Sequence, residues 1–206
     1  VNPADGQLYA IGFQVWGTTV KRISGLARIR YTGEPRILLK AASAMDKGVL
    51  LNFNDALDKT AAVDLANYSI ERWNYIRTYK YGSPHLKLDG SPGQEWMPPS
   101  SAYLSKDGKS VFIGIPDMTS GVMQMRVGWG IKGANGGPAS NNVYFTPYEL
   151  AKFDAEKEGF EKVEVDLTPR KVVATATAKP TKEEGEKVYQ MMGCVVCHSV
   201  DGTLYG

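Results

Sequence analysis

The segment Val122-Met-Gln-Met-Arg-Val-Gly-Trp129 alternates with a period of two. Such alternation is typical of an extended chain whose successive side chains point to opposite faces of a sheet. One face would carry Met123, Met125, Val127 and Trp129, and the other Val122, Gln124, Arg126 and Gly128. The pattern predicts a β-strand that packs its apolar face against a core, with both methionines inside it.

Further short strands are predicted on both sides of this segment, at the spacing of a β-sandwich. A polar stretch at 58–66 favours one or two helical turns, and residues 82–99, which contain four prolines, read as a loop. The predicted strands are 37–44, 49–53, 68–79, 102–104, 110–115 and 142–145. Residues 36–146 are therefore expected to form one sandwich.

The first 35 residues read as two strands, 7–13 and 25–31, with a loop that contains Trp16. Two strands do not make a stable unit by themselves. We therefore expect them to be the closing part of a sheet that lies upstream.

After the sandwich, Thr146-Pro147-Tyr148-Glu149 has the form of a capping box with proline at the first helical position. Val163, Val165 and Leu167 alternate with acidic residues, which favours one more strand. Residues 147–167 are thus predicted to form a short helix and a strand. Residues 168–182, rich in Ala, Thr, Lys and Pro, are predicted to be a linker.

The last segment, 183–206, contains Cys194-Val-Val-Cys197-His198. Cys-x-x-Cys-His is the attachment signature of haem c, with both thiols as thioethers and the histidine as proximal iron ligand. A redox-active or structural cysteine pair and half of a zinc site are the alternatives. The pair follows an amphipathic helix-like run, whereas a thioredoxin-type pair would follow a strand. A zinc site would need a second ligand pair, and the chain has only these two cysteines and two histidines.

The composition narrows the classes of function. The chain has 206 residues, 43% of them hydrophobic, and a net charge of +2, so it can build a core and gives no sign of nucleic-acid binding. No run of 18 apolar residues is present to span a membrane. There is no Gly-rich phosphate loop, no Gly-x-Ser-x-Gly motif and no second histidine for a hydrolytic triad, and Asp55, Asp58 and Asp64 are too widely spaced for an EF-type calcium loop. We assign no catalytic residue.

The chain starts at Val1 without a signal peptide and stops eight residues after His198. A haem c domain needs roughly 80 residues to enclose its cofactor. We therefore expect an internal fragment of a larger protein. Because haem c is matured outside the cytoplasm, the expected location is periplasmic or otherwise extracytoplasmic.

Several stretches together resemble the large multidomain haem c proteins of planctomycete and verrucomicrobial type. They are Asp5-Gly-Gln-Leu-Tyr9 with the following Gly-Phe-Gln and Trp16, Arg28-Ile-Arg-Tyr-Thr-Gly33, Asn52-Phe-Asn-Asp-Ala-Leu-Asp58 and the Cys-x-x-Cys-His motif. The resemblance implies that 1–35 end a quinoprotein-dehydrogenase-like β-propeller, that 36–146 are an Ig-like sandwich, and that 183–206 begin a class I cytochrome c domain. Asn54 and Ala56 stand where such Ig-like domains usually have Ser and Pro. The implied partners are the missing propeller, the rest of the cytochrome domain and a redox protein.

A distal haem ligand is not evident in the sequence. His85 is more typical of a surface loop, and Met191 and Met192 of a helix core. Trp73, Tyr75 and Tyr79 are compatible with a sugar-stacking platform, but packing between sheets or domains is the more ordinary role for them and for Trp16.

Two hypotheses follow. In the first, the chain transfers electrons through its haem, accepting them from an upstream propeller dehydrogenase. In the second, the Ig-like region is a non-catalytic binding or spacer module in contact with protein or carbohydrate, and the haem segment is incomplete.

Overall fold

The structure is a computed structural model that describes residues 2–13, 24–30, 33, 36–79 and 82–170. The described part of the chain is mainly β, with several antiparallel sheets, so the predicted fold class is confirmed. The described residues up to 33 and those from 36 to 170 belong to two different compact units.

The first unit contains a two-stranded hairpin. Strands β1 (Leu8–Phe13) and β2 (Ser24–Ile29) pair antiparallel along their whole length. The carboxylate of Asp5 accepts hydrogen bonds from the Gln7 backbone N–H at 3.0 Å and the Tyr9 hydroxyl at 2.7 Å, and these hold the pKa of Asp5 below its usual value. The two predicted strands are therefore present; their assignment to a propeller stays a prediction.

Residues 36–79 and 82–170 of the second unit form nine strands and two short helical segments. In chain order they are β3 (Leu39–Met45), β4 (Gly48–Phe53), α1 (Lys59–Val63), a 3₁₀ turn (Leu65–Asn67), β5 (Tyr68–Tyr75), β6 (His85–Leu86), β7 (Glu95–Trp96), β8 (Ser101–Leu104), β9 (Ser110–Gly114), β10 (Gln124–Lys132) and β11 (Pro138–Phe145).

These strands form two sheets. The four-stranded sheet has the order β3-β4-β9-β8, and the five-stranded sheet has the order β11-β10-β5-β6, with β7 also paired to β5. Apolar side chains of both sheets share one core, which includes Leu51, Val111, Ile70, Val127 and Trp129. The unit is a β-sandwich.

The four-stranded sheet is covered on both faces. Strand β4 is buried at five of its six positions, because Val49, Leu51 and Phe53 face the shared core while Leu50 faces a second core. A continuous apolar run is what a strand buried on both faces requires.

The C-terminal strap, which we define as residues 151–170, supplies the other side of this second core. Its Phe160 and Val165 are 1% and 8% exposed and pack with Leu50 and Phe112. The strap starts at a parallel bridge between Met45 and Ala151. It thus closes the outer face of the four-stranded sheet.

The helical stretch predicted at 58–66 is present as α1 and the 3₁₀ turn. The carboxylates of Asp58 and Asp64 accept from the backbone N–H groups of Ala61 and Ala66 at 2.8 and 3.0 Å, which caps both segments.

The prediction for 147–167 is wrong, since these residues form neither helix nor strand. The Thr146 hydroxyl does not cap a helix but donates to the Met123 carbonyl oxygen at 2.8 Å. Val165 is buried, but the neighbouring Asp166 N–H is satisfied by the Tyr103 hydroxyl, at 2.9 Å, and not by a strand. Hydrogen bonds to side chains thus take the place of the backbone hydrogen bonds between strands that the alternation predicts.

Smaller differences concern strand ends. Strand β5 stops at Tyr75 and not at residue 79, and the predicted loop 82–99 contains β6 and β7. Strand β11 begins at Pro138, so it is longer than the predicted 142–145. Met123 precedes β10 and is 37% exposed, whereas Met125 is fully buried as predicted.

Candidate functional site

Cys194, Cys197 and His198 lie outside the residues that the structure describes, as do Trp16, Met191, Met192 and the segments 171–182 and 183–206. The assignment of Cys194 and Cys197 as haem thioethers and of His198 as iron ligand therefore stays a prediction.

The sequence also predicts that the chain is a cytochrome that binds metal, iron and haem. The residues that the structure describes do not agree with this prediction. No group of three or more His, Cys, Asp or Glu side chains among these residues could hold a metal ion. The acidic groups there have other partners: Asp58 and Asp64 cap helical segments, and Glu71 and Glu95 pair with arginines. For the described residues, the description as a metal-binding haem protein is therefore wrong.

His85 is placed by β6 at the edge of the five-stranded sheet. Its ring stacks on Trp73, with centroids 4.8 Å apart and an interplanar angle of 29°. Gln94 Nε2 lies 3.0 Å from His85 Nδ1 and orients the imidazole. The histidine is thus part of an aromatic surface.

The register of the sheet explains which side chains share this surface. His85 pairs with Tyr75, Trp73 pairs with Gln124, and Arg126 pairs with Tyr144 on its other side. Residues paired across antiparallel strands lie on the same face. Met125 and Val127 alternate with Gln124 and Arg126 and face the core, so this group forms the outer face of the five-stranded sheet.

Trp73, Tyr75 and Tyr79 occupy three different environments. Trp73 is 6% exposed and lies beneath His85 and Tyr144, whose ring makes an edge contact with it at 6.3 Å and 78°. Tyr75 lines the cleft beside it, whereas Tyr79 is 96% exposed and does not. Trp73 therefore packs neither between the sheets nor as a bare platform, but as the base of an aromatic cluster.

A cleft of about 420 Å³ opens at this cluster. It combines aromatic rings with polar side chains that can donate and accept hydrogen bonds. Its lining residues are Trp73, Tyr75, Ser83, His85, Gln124 and Tyr144. We call this the aromatic cleft.

Charged groups near the cleft are paired. Arg126 Nε donates to Glu71 Oε2 at 3.0 Å, and its Nη2 lies 3.4 Å from the Ser69 hydroxyl. Further along β5, Arg72 Nε donates to Glu95 Oε2 at 2.6 Å, and this bond holds the pKa of Glu95 below its usual value. The Glu71–Arg126 pair fixes the outer face without adding a net charge to it. Arg72 alternates with Glu71 and Trp73 and therefore belongs to the other face of β5.

Sequence reasoning singled out Trp73 and Tyr75 but not Tyr144, Gln94 or Gln124 as members of one surface. The alternation of β10 places Gln124 on the face opposite the core, and this pattern could have identified Gln124 as a residue of the cleft. Tyr144 reaches the cluster through the pairing of β11 with β10, which the sequence does not specify.

Within the described residues, no helix has the length and apolar character that crossing a membrane would require.

No protein-family model matches the chain, and no curated protein matches it. Among solved structures, the chain is similar to the crystal structure of the S-layer protein SbsC at 20% identity and a TM-score of 0.36, over 52% of this chain and 13% of that one. The structure of surface layer protein SbsC, domains 1–6, is similar at 18% identity and a TM-score of 0.35, over 52% of this chain and 13% of that one. The crystal structure of the N-terminal part of the same bacterial S-layer protein is similar at 20% identity and a TM-score of 0.35, over 52% of this chain and 23% of that one.

The chain thus spans less than a quarter of the proteins it resembles in these structures. They are surface-layer proteins. Likeness at this level carries no argument about function.

Proposed function

We propose that the chain serves electron transfer outside the cytoplasm through a haem c attached at Cys194 and Cys197, and that the β-sandwich is the scaffold for this segment. The observation that supports the scaffold role is the C-terminal strap. It fixes the chain to the sandwich up to residue 170, which is the third residue of the predicted linker, 168–182.

The anchoring of the strap is specific. The hydroxyls of Ser100 and Ser101 both donate to the Asp166 carbonyl oxygen, at 2.7 and 2.8 Å. Arg170 Nε donates to the Ser100 carbonyl oxygen at 3.0 Å. Both serines are buried where the strap covers them, so these hydrogen bonds fix the backbone at Asp166 to the start of β8. The chain is therefore held to the sandwich as far as Arg170.

The haem assignment itself is supported by the sequence Cys194-Val-Val-Cys197-His198. The two thiolates would hold the porphyrin and the imidazole would bind the iron, as this motif does in c-type cytochromes. When bound, the haem supplies one-electron chemistry, and the chain supplies attachment and one axial ligand.

The wider setting belongs to the same proposal. The resemblance to multidomain haem c proteins implies a periplasmic location, an upstream propeller dehydrogenase as electron source and a separate redox protein as acceptor. The first strands, Leu8–Phe13 and Ser24–Ile29, would then end the propeller.

A visible spectrum tests the proposal. The chain is produced in a host that matures haem c, purified, and reduced; sharp α and β bands that survive acid-acetone extraction are expected. The Cys194→Ala/Cys197→Ala double variant should carry no covalent haem while its sandwich stays folded. His85→Ala is the matched control and should leave the bands unchanged.

A colourless protein with free thiols or a disulfide would overturn electron transfer. The hypothesis of a non-catalytic binding or spacer module would then remain. That hypothesis does not depend on the C-terminal cysteines.

A further inference from the structure

We infer that the aromatic cleft on the outer face of the five-stranded sheet binds a neutral carbohydrate chain. This goes beyond the scaffold and electron-transfer roles and holds whether or not the C-terminal segment carries a haem. The argument rests on the exposure, geometry and charge of the face.

The two outer faces of the sandwich differ in whether other residues cover them. The outer face of the four-stranded sheet is covered by the strap, which buries Leu50 and Phe112. On the outer face of the five-stranded sheet, in the part of the chain that the structure describes, Tyr144 remains 56% exposed. The second face is therefore accessible to a ligand.

The aromatic geometry suits a sugar ring. A pyranose has flat faces of C–H groups and a rim of hydroxyls, so it requires an aromatic ring beside hydrogen-bonding groups. Tyrosine offers both an apolar ring and a polar hydroxyl. Tyr144 and His85 each contact Trp73, and Gln124 and Ser83 stand beside them as polar partners.

The side chains are held in place before any ligand arrives. Gln94 orients the His85 ring, which also stacks on the buried Trp73. Arg126 is tied to Glu71 and lies near Ser69. Preorganised side chains lose little conformational entropy on binding, which raises affinity.

Charge and size select the class of ligand. The pairing of Glu71 with Arg126 at 3.0 Å leaves no net charge from these two groups beside the cleft, which favours neutral sugars over acidic polymers. The cleft volume of about 420 Å³ lies in the range of about 300–1,000 Å³ that is usual for small-ligand sites. This space suits a short stretch of a glycan.

Affinity electrophoresis of the full chain tests the inference. The gels contain mixed-linkage β-glucan, xylan or galactomannan as neutral probes, and polygalacturonate as the acidic probe. We expect retardation by at least one neutral polymer. Tyr144→Ala should weaken that binding at least tenfold. Tyr148→Ala, at a 79% exposed tyrosine outside the cleft, is the matched control and should bind like the parent chain.

Gln124→Ala provides a second variant with a smaller structural effect, and its binding should also weaken. Thermal unfolding of each variant confirms that the sandwich is folded. Absence of retardation by all neutral polymers would overturn the inference. Equal binding by the Tyr144 and Tyr148 variants, or preferential binding of polygalacturonate, would overturn it as well.

Discussion

The ring of Phe153 in the strap lies nearly parallel to the ring of Phe112 in β9, with centroids 3.6 Å apart and an interplanar angle of 15°. Phe160 approaches Phe153 edge-on, at 5.6 Å and 70°. These three rings join the strap to the sheet, so the strap belongs to the folded unit.

Replacing Phe160 by alanine should therefore destabilise the sandwich. Phe160 is 1% exposed, and phenylalanine-to-alanine changes at such sites cost about 3–5 kcal/mol in the free energy of unfolding. Denaturant unfolding followed by tryptophan fluorescence measures the loss. Tyr148→Ala is the control and should change stability by less than about 0.5 kcal/mol. Equal stability of the two variants would mean that the strap does not support the fold.

Gly48 is expected to tolerate no side chain. It begins β4 with φ at +153°, and a Cβ there would overlap the Ile113 carbonyl oxygen of the adjacent strand. Since both atoms are backbone-positioned, Gly48→Ala should cost at least about 1–3 kcal/mol. The midpoint of thermal unfolding gives the comparison.

Gly130→Ala is the matched control for Gly48. The nearest atom to a Cβ at Gly130 is the Ser140 hydroxyl oxygen at 3.9 Å, so the change is expected to be neutral or slightly stabilising. Similar midpoints for the two glycine variants would contradict the close approach of β4 and β9.

The Arg72–Glu95 pair should make stability depend on pH. The hydrogen bond from Arg72 is the main cause of the lowered Glu95 pKa, whose ordinary value is 4.5. A lowered folded-state pKa stabilises the fold fully above the ordinary value, and this contribution is lost as the pH falls from about 4.5 through the lowered pKa. Glu95→Gln should therefore be less stable than the parent chain at pH 7, with the difference shrinking below pH 4.5.

Glu149→Gln is the control for this pH series, since Glu149 is exposed and forms no ion pair with another described residue. Its unfolding curve should follow that of the parent chain at every pH. A Glu95→Gln deficit that stays constant down to pH 3 would refute the role of this carboxylate.

The Tyr68 hydroxyl ties β5 to α1. It donates to the Ala62 carbonyl oxygen at 2.7 Å, and burial raises its pKa above the ordinary value. Tyr68→Phe should cost about 1 kcal/mol in the free energy of unfolding, because the buried carbonyl oxygen loses this partner. Tyr148→Phe should be neutral. No difference between these variants in urea unfolding would show that the bond is dispensable.

The strands of the sandwich were predictable where apolar periodicity dictates burial. Val127 and Trp129 are buried in β10, and Gln124 and Arg126 are half-buried, as the alternation predicts. Gly128, which belongs to the other face, is buried as well. Strands of two residues, such as His85–Leu86, carry too little pattern to be recognised. They exist because β5 offers them a pairing edge.

The strap was missed for a different reason. The alternation around Val165 agrees with its burial between exposed neighbours, but the sequence does not say whether a neighbouring strand or side chains will satisfy the backbone there. Ser100, Ser101 and Tyr103 do so here. Likewise Trp73 could be recognised as a candidate, whereas its meeting with Tyr144 depends on strand order.

The position of the strap at the end of the sandwich has a consequence for synthesis of the protein. Strand β4 leaves the ribosome about 100 residues before Phe160, which at about 5–20 residues per second is a delay of about 5–20 s. During that interval Leu50, and later Phe112, have no cover on the outer face. Nascent or truncated chains should therefore be the form of this protein that aggregates and that chaperones recognise.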